Sequence, residues 1–91
     1  MDIKLEHVED LLWQDGIEFE LLSFGEDISL CILGLRELVY VKPVWPDEEG
    51  ELIFDSDDIY VYSGNELFGQ IVTDTGEGLV EELNKILENY R

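Results

Sequence analysis

Alanine is absent from this 91-residue chain, cysteine, histidine and methionine occur once each, and proline twice. Cations are nearly as scarce: five Lys plus Arg stand against 23 Asp plus Glu, a net charge of -18 at pH 7. Each shortage excludes something. The single cysteine rules out a disulfide framework, and its place in the apolar run Ile28-Ser29-Leu30-Cys31-Ile32-Leu33 reads as a buried small hydrophobe, not a nucleophile. One cysteine and one histidine cannot close a tetrahedral zinc site without two carboxylates that nothing in the sequence singles out. Five scattered cations cannot supply the basic patch that direct binding to DNA, RNA or an anionic membrane requires. No uncharged apolar run approaches the roughly 18 residues of a membrane span. The opening Met1-Asp2-Ile3-Lys4-Leu5-Glu6 lacks the basic start of a secretory signal, so a soluble cytoplasmic protein is expected.

What is present argues that the chain folds. Disordered acidic tails lack aromatic and branched residues, whereas here 45% of the residues are hydrophobic and 11% aromatic, spread along the whole length. The length suits one domain, residues 1–91, with a single core and little room for an internal cofactor cavity.

Periodicity then orders the elements. Leu5, Val8, Leu11 and Leu12 recur at helical spacing, predicting an amphipathic helix from Ile3 to Gln14 that Asp15-Gly16 stops. Ile17-Glu18-Phe19-Glu20-Leu21 alternates as a strand with two carboxylates on its polar face, and Gly25-Glu26-Asp27 reads as a turn. The unbroken run Ile28–Leu33 predicts a central strand covered on both faces. Leu38–Trp45 follows, with Lys42-Pro43 marking an edge or a bulge because proline cannot donate to a ladder. Three more short strands are expected at Leu52–Phe54, Ile59–Tyr62 and Leu67–Thr73. Asp74-Thr75-Gly76-Glu77 offers N-cap chemistry to a closing helix with apolar residues at Leu79, Val80, Leu83, Ile86, Leu87 and Tyr90. The expected fold is α+β: an N-terminal helix, about six short antiparallel strands in a meander sheet, and a C-terminal helix packed on the sheet.

Catalytic motifs are not found. His7 lies beside Glu6 on the first helix and reads as a solvated or boundary residue. Ser23, Ser29, Ser56 and Ser63 have no nucleophile-elbow glycines around them. Thr73-Asp74-Thr75-Gly76-Glu77-Gly78 lacks the lysine of a phosphate loop and is acidic where a phosphate would sit. Asp55-Ser56-Asp57-Asp58 and Asp47-Glu48-Glu49 offer hard oxygens, but Tyr60 stands where a calcium loop starting at Asp55 needs glycine. No enzyme activity, metal or cofactor is expected.

Charge is the most specific feature. Solubility needs a net charge of roughly 2 to 8, and the excess destabilises a compact domain by self-repulsion. Adaptation to high salt would explain it, but the composition, without alanine and rich in leucine and isoleucine, is not that of a halophilic protein. Occupation of a cleft built for nucleic acid explains it as well, carboxylates standing in for phosphates. Glu18 and Glu20 would stand about 6.7 Å apart along one strand, and Glu6, Glu9 and Asp10 on the first helix, with Glu77, Glu81, Glu82 and Glu88 on the last, add anionic stripes. Aromatic anchors supply a second argument, since Trp and Tyr are enriched in interface hot spots. Trp45 precedes the acidic turn Asp47-Glu48-Glu49, and Tyr60 and Tyr62 flank the same side of one strand after Asp55, Asp57 and Asp58. Tyr40 and Trp13 read as core or boundary residues.

The expected partner-binding residues are therefore Glu18, Glu20, Trp45, Asp47, Glu48, Glu49, Asp55, Asp57, Asp58, Tyr60 and Tyr62. The expected partner is a basic protein, a nuclease or nucleic-acid-binding complex, with no direct contact to nucleic acid or membrane. Three roles fit: a nucleic-acid mimic of the anti-restriction or anti-CRISPR type, an immunity protein or antitoxin neutralising a nuclease toxin, and an acidic adaptor or chaperone for a basic client.

Overall fold

Residues 2–24 and 27–90 are described by the computed structural model. Their elements run β1 (Asp2–Lys4), α1 (Leu5–Gln14), β2 (Phe19–Phe24), β3 (Asp27–Ile32), β4 (Val39–Pro46), β5 (Leu52–Asp55), β6 (Tyr60–Ser63), β7 (Glu66–Gln70) and α2 (Gly76–Leu87). This is the expected α+β arrangement of two helices and an antiparallel meander, with seven strands instead of six. The added strand is β1. Asp2–Lys4, of which Ile3 and Lys4 are expected as the start of the helix, instead buries only Ile3 and pairs with β5, Ile3 opposite Phe54. Its ladder with Ile53–Asp55, a partner far away in sequence, sets it apart from the helix that begins at Leu5.

The helices start and stop for local reasons. Chain reversal after α1 rests on Gly16, whose φ of +72° lets its N–H reach Trp13 O while Ile17 N–H reaches Leu12 O. Such a left-handed residue closes a helix at little cost only when it is glycine. Thr75 caps α2, its hydroxyl oxygen accepting from Gly78 N–H at 3.0 Å. The core faces follow from spacing: Leu5, Val8 and Leu12 on α1 meet Leu79, Val80, Leu83 and Leu87 on α2 and the inner side of the sheet, made by Leu30, Ile32, Val39, Val41, Val44, Phe54 and Val61.

The sheet runs β1-β5-β4-β3-β2, and β4 also takes β6, which carries β7. β4 can serve both because its partner changes along its length: Val39–Lys42 pair with β6, and Trp45 and Pro46 pair with β5. Pro43, which has no N–H, falls in the gap between these ladders, where no donor is needed. The bulge expected there is present, since the register against β3 shifts between Ile28 and Leu30. An edge position is not: β4 is the hub of the sheet. β3 lies between β2 and β4, and Ser29, Leu30, Cys31 and Ile32 are all buried, as a strand covered on both faces requires. The turn expected at Gly25 and Glu26 lies outside the described residues, and Asp27 already belongs to β3. The last strand ends sooner than expected, at Gln70, after which Ile71 enters the core. No helix is long and apolar enough to cross a membrane.

Candidate functional site

With the inner side of the sheet taken up by the helices, the outer side is free to carry other chemistry. Cross-strand register places Glu20, Cys31, Tyr40, Tyr62 and Leu67 in one row across β2, β3, β4, β6 and β7, and Lys42, Tyr60 and Gln70 in the next. Alternation sets these apart from the core: Val39, Val41 and Val61 point inward with no exposure, so Tyr40, Lys42, Tyr60 and Tyr62 point out. Tyr40 and Tyr62 stack with ring centroids 5.3 Å apart and planes within 7°, and the Lys42 ammonium sits 4.8 Å from the Tyr62 ring centre. Tyr60 donates its hydroxyl to Asp58 at 3.4 Å, and the Asp58 carboxylate raises the phenol's pKa. Glu20 stands three strands from Tyr62, about 14 Å at ordinary strand spacing. Cys31 lies buried in this row, and burial together with the Glu20 carboxylate pushes its thiol up, holding it protonated.

Trp45 occupies the far end of β4. It is 43% exposed and pairs with Ile53, on the side away from Val44 and Phe54. The acidic turn after it divides by role. Asp47 builds the turn, its Oδ1 accepting from Glu49 and Glu51 N–H at 2.8 and 2.9 Å, with Gly50 at φ +83° completing the reversal. Glu48 and Glu49 project from it. Asp55 does the same in the next turn, accepting from Asp57 N–H at 3.0 Å on its side chain and from Asp58 N–H at 2.9 Å on its carbonyl, while Asp57 and Asp58 are exposed. Two of the eleven expected contact residues thus fold the loops that present their neighbours.

Glu18 is not on a strand face with Glu20. It precedes β2, with its carbonyl accepting from Leu33 N–H at 2.9 Å, and its side chain borders a different feature. That feature is a groove of about 570 Å³ lined by Glu9, Asp10, Trp13, Ile17, Glu18, Phe19 and Leu33. Trp13, expected in the core or at its boundary, is 75% exposed there. The helical wheel explains the difference: Leu5, Val8 and Leu12 form the buried stripe, and Trp13 instead continues the polar stripe of Glu6, Glu9 and Asp10 at i+7, i+4 and i+3. That spacing was present in the sequence, as was the alternation that puts Tyr40 and Lys42 beside Tyr62.

The carboxylates are largely uncompensated. Among the described residues two ion pairs form, Lys4 with Glu51 and Lys85 with Glu82 at 3.1 Å, and the His7 ring bonds to Glu77. All are exposed, so they offset little of the repulsion. None involves the groove, where burial and the charges of Asp10 and Glu6 raise the Glu9 carboxyl above its ordinary value. Among the described residues no three His, Cys, Asp or Glu side chains converge as a metal set. His7 is held by Glu77, across the gap between the helices. Comparison with family models, curated proteins and solved structures finds no match to this chain.

Proposed function

We propose that this protein is a non-catalytic acidic inhibitor that occupies the basic groove of a nucleic-acid-binding protein, its carboxylates taking the place of phosphates. The observation that carries the reading is the uncompensated charge: a net -18 against two exposed ion pairs and one histidine–carboxylate contact among the described residues. Such a surface pays for itself only in the presence of a cationic partner, which it attracts over long range and binds with relief of its own repulsion. Aromatics within the acidic surface, the exposed Trp13 and Trp45 and the half-buried Tyr40–Tyr62 stack, supply the apolar anchors that charge alone lacks.

The test is a displacement assay. A basic protein captured on the immobilised chain at moderate salt is loaded with fluorescent duplex DNA or RNA, and the free chain is titrated in. Stoichiometric release of the nucleic acid is expected. Capture of one toxin with retention of its nucleic-acid binding would favour the immunity reading, and a salt-labile mixture of cationic proteins would favour the adaptor. Either outcome overturns mimicry.

A further inference from the structure

The Trp13 groove has a composition that the rest of the acidic surface does not. Its floor is apolar, made by Ile17, Phe19 and the partly exposed Leu33, and one wall is an indole with three-quarters of its surface in solvent. Its rim carries Glu9, Asp10 and Glu18. Among the described residues no Lys, Arg or His pairs with any of the three. A large exposed tryptophan is costly to hydrate and marks a contact when it lines a concave surface.

The occupant can be chosen by elimination. A nucleic acid or an anionic metabolite is repelled by the rim. A second copy of the chain brings another -18 charges. A purely apolar ligand would leave three carboxylates partly desolvated without partners, which is unfavourable. A lysine satisfies the charge and can sit over the indole, but its compact, strongly hydrated ammonium neither stacks flat on the ring nor bridges one carboxylate with two parallel bonds. A guanidinium is planar and weakly hydrated, stacks on an indole, and donates two parallel hydrogen bonds to one carboxylate. The volume, about 570 Å³, exceeds one side chain and leaves room for the flanking residues of a peptide segment.

We infer that the groove between α1 and the start of β2 is a docking site for an arginine side chain presented by a basic protein partner, stacked on Trp13 and held by Glu9, Asp10 and Glu18. This deepens the inhibitor reading by naming the contact that fixes orientation, and it rests on that reading only for the identity of the partner.

The probe is a pair of short peptides alternating glycine with arginine or with lysine, of equal length and charge. The Trp45→Phe variant leaves Trp13 as the sole tryptophan, so its emission reports binding directly. The arginine peptide is expected to quench or shift that emission and to bind at least fivefold more tightly than the lysine peptide at moderate salt. Trp13→Ala, read by labelled peptide, is expected to weaken arginine-peptide binding at least tenfold. Removing the same number of charges elsewhere as in a Glu9→Gln/Asp10→Asn pair, with Glu66→Gln/Asp74→Asn, is expected to change it less than twofold. Equal affinity for the two peptides, or an unchanged affinity in Trp13→Ala with the fold intact by circular dichroism, overturns the inference. The displacement assay separates the two claims: if Trp13→Ala releases nucleic acid from the partner at the same concentration as the parent, the groove assignment fails and the inhibitor reading stands.

Discussion

Adding salt should stabilise this protein, and the size of the effect follows from its charge. Two like charges about 10 Å apart in water repel by about 0.4 kcal/mol before screening. Raising the salt from about 0.01 M to about 0.1 M shortens the Debye length from about 30 Å to about 10 Å, which removes about 0.15 kcal/mol from such a pair. With one to two near neighbours for each of the 18 uncompensated charges, the folded state gains about 1 to 3 kcal/mol, and the unfolded chain, with its charges further apart, gains a smaller part of that. A net gain of about 1 to 1.5 kcal/mol raises the melting temperature of a domain this size by about 5 to 10 °C. Thermal unfolding followed by circular dichroism at the two salt concentrations, at neutral pH, measures it. Sodium and choline chloride should act alike, because screening depends on ionic strength and not on the cation. An unchanged or lower melting temperature would refute the reasoning, since it would mean that the carboxylates are stabilised locally in the native state and that the ion pairs matter more than the net charge. A rise with sodium alone would indicate a bound cation instead of screening.

Glu9 gives a pH-resolved version of the same argument. Its carboxyl is raised by burial first and by Asp10 and Glu6 next, so the folded state disfavours its charged form. A carboxylic acid with a raised native pKa contributes stability below its unfolded value, and that contribution is lost as pH rises through the native value. Glu9→Gln should therefore raise the melting temperature at pH 7 relative to the parent and make no difference once pH is well below the ordinary 4.5; a fall at pH 7 would show that Glu9 has a stabilising partner. The core makes the opposite kind of prediction. Phe54 on β5 has no exposure and is the largest fully buried side chain among the described residues, opposite Ile3 of β1 and part of the core shared with the helices, so Phe54→Ala should cost about 3 to 5 kcal/mol in chemical denaturation. A loss below about 1 kcal/mol would mean the two-layer core is not packed as described.

The legibility of the fold divided along one physical line. Elements whose apolar period ran over many residues could be read directly, as with the α2 stripe of Leu79, Leu83 and Leu87 or the run through β3. Elements that depend on a distant partner could not. Three residues are too few for a period, and it is the pairing with Ile53–Asp55, about fifty positions away, that makes Asp2–Lys4 a strand. The change of partner along β4 is likewise a tertiary fact. A proline marks it in the sequence, but whether that means an edge or a junction depends on where β5 and β6 settle. The candidate site shows the same division. Alternation put Tyr60 and Tyr62 on one side of their strand, but that this side faces outward follows from the burial of Val61, and the stack on Tyr40 required the β4–β6 register. The turn-building role of Asp47 and Asp55 was available in principle, because aspartate at the start of a turn accepts from backbone N–H groups two residues on.

The placement of the few cations joins the stability argument to the functional one. Lys4 serves the β1–β5 side, His7 ties α1 to the start of α2, and Lys85 lies on α2 itself. Each of these pairs sits where elements meet or along a helix, positions at which compensation helps the fold. The Trp13 groove combines carboxylates with exposed aromatic surface and receives none of that compensation among the described residues, and burial with the charges of Asp10 and Glu6 raises the Glu9 carboxyl there. Glu9→Gln should then separate the two demands in one variant: a more stable fold and a weaker hold on arginine. Stability and binding that fell together would mean that Glu9 acts through the fold and that the groove has no claim to a partner.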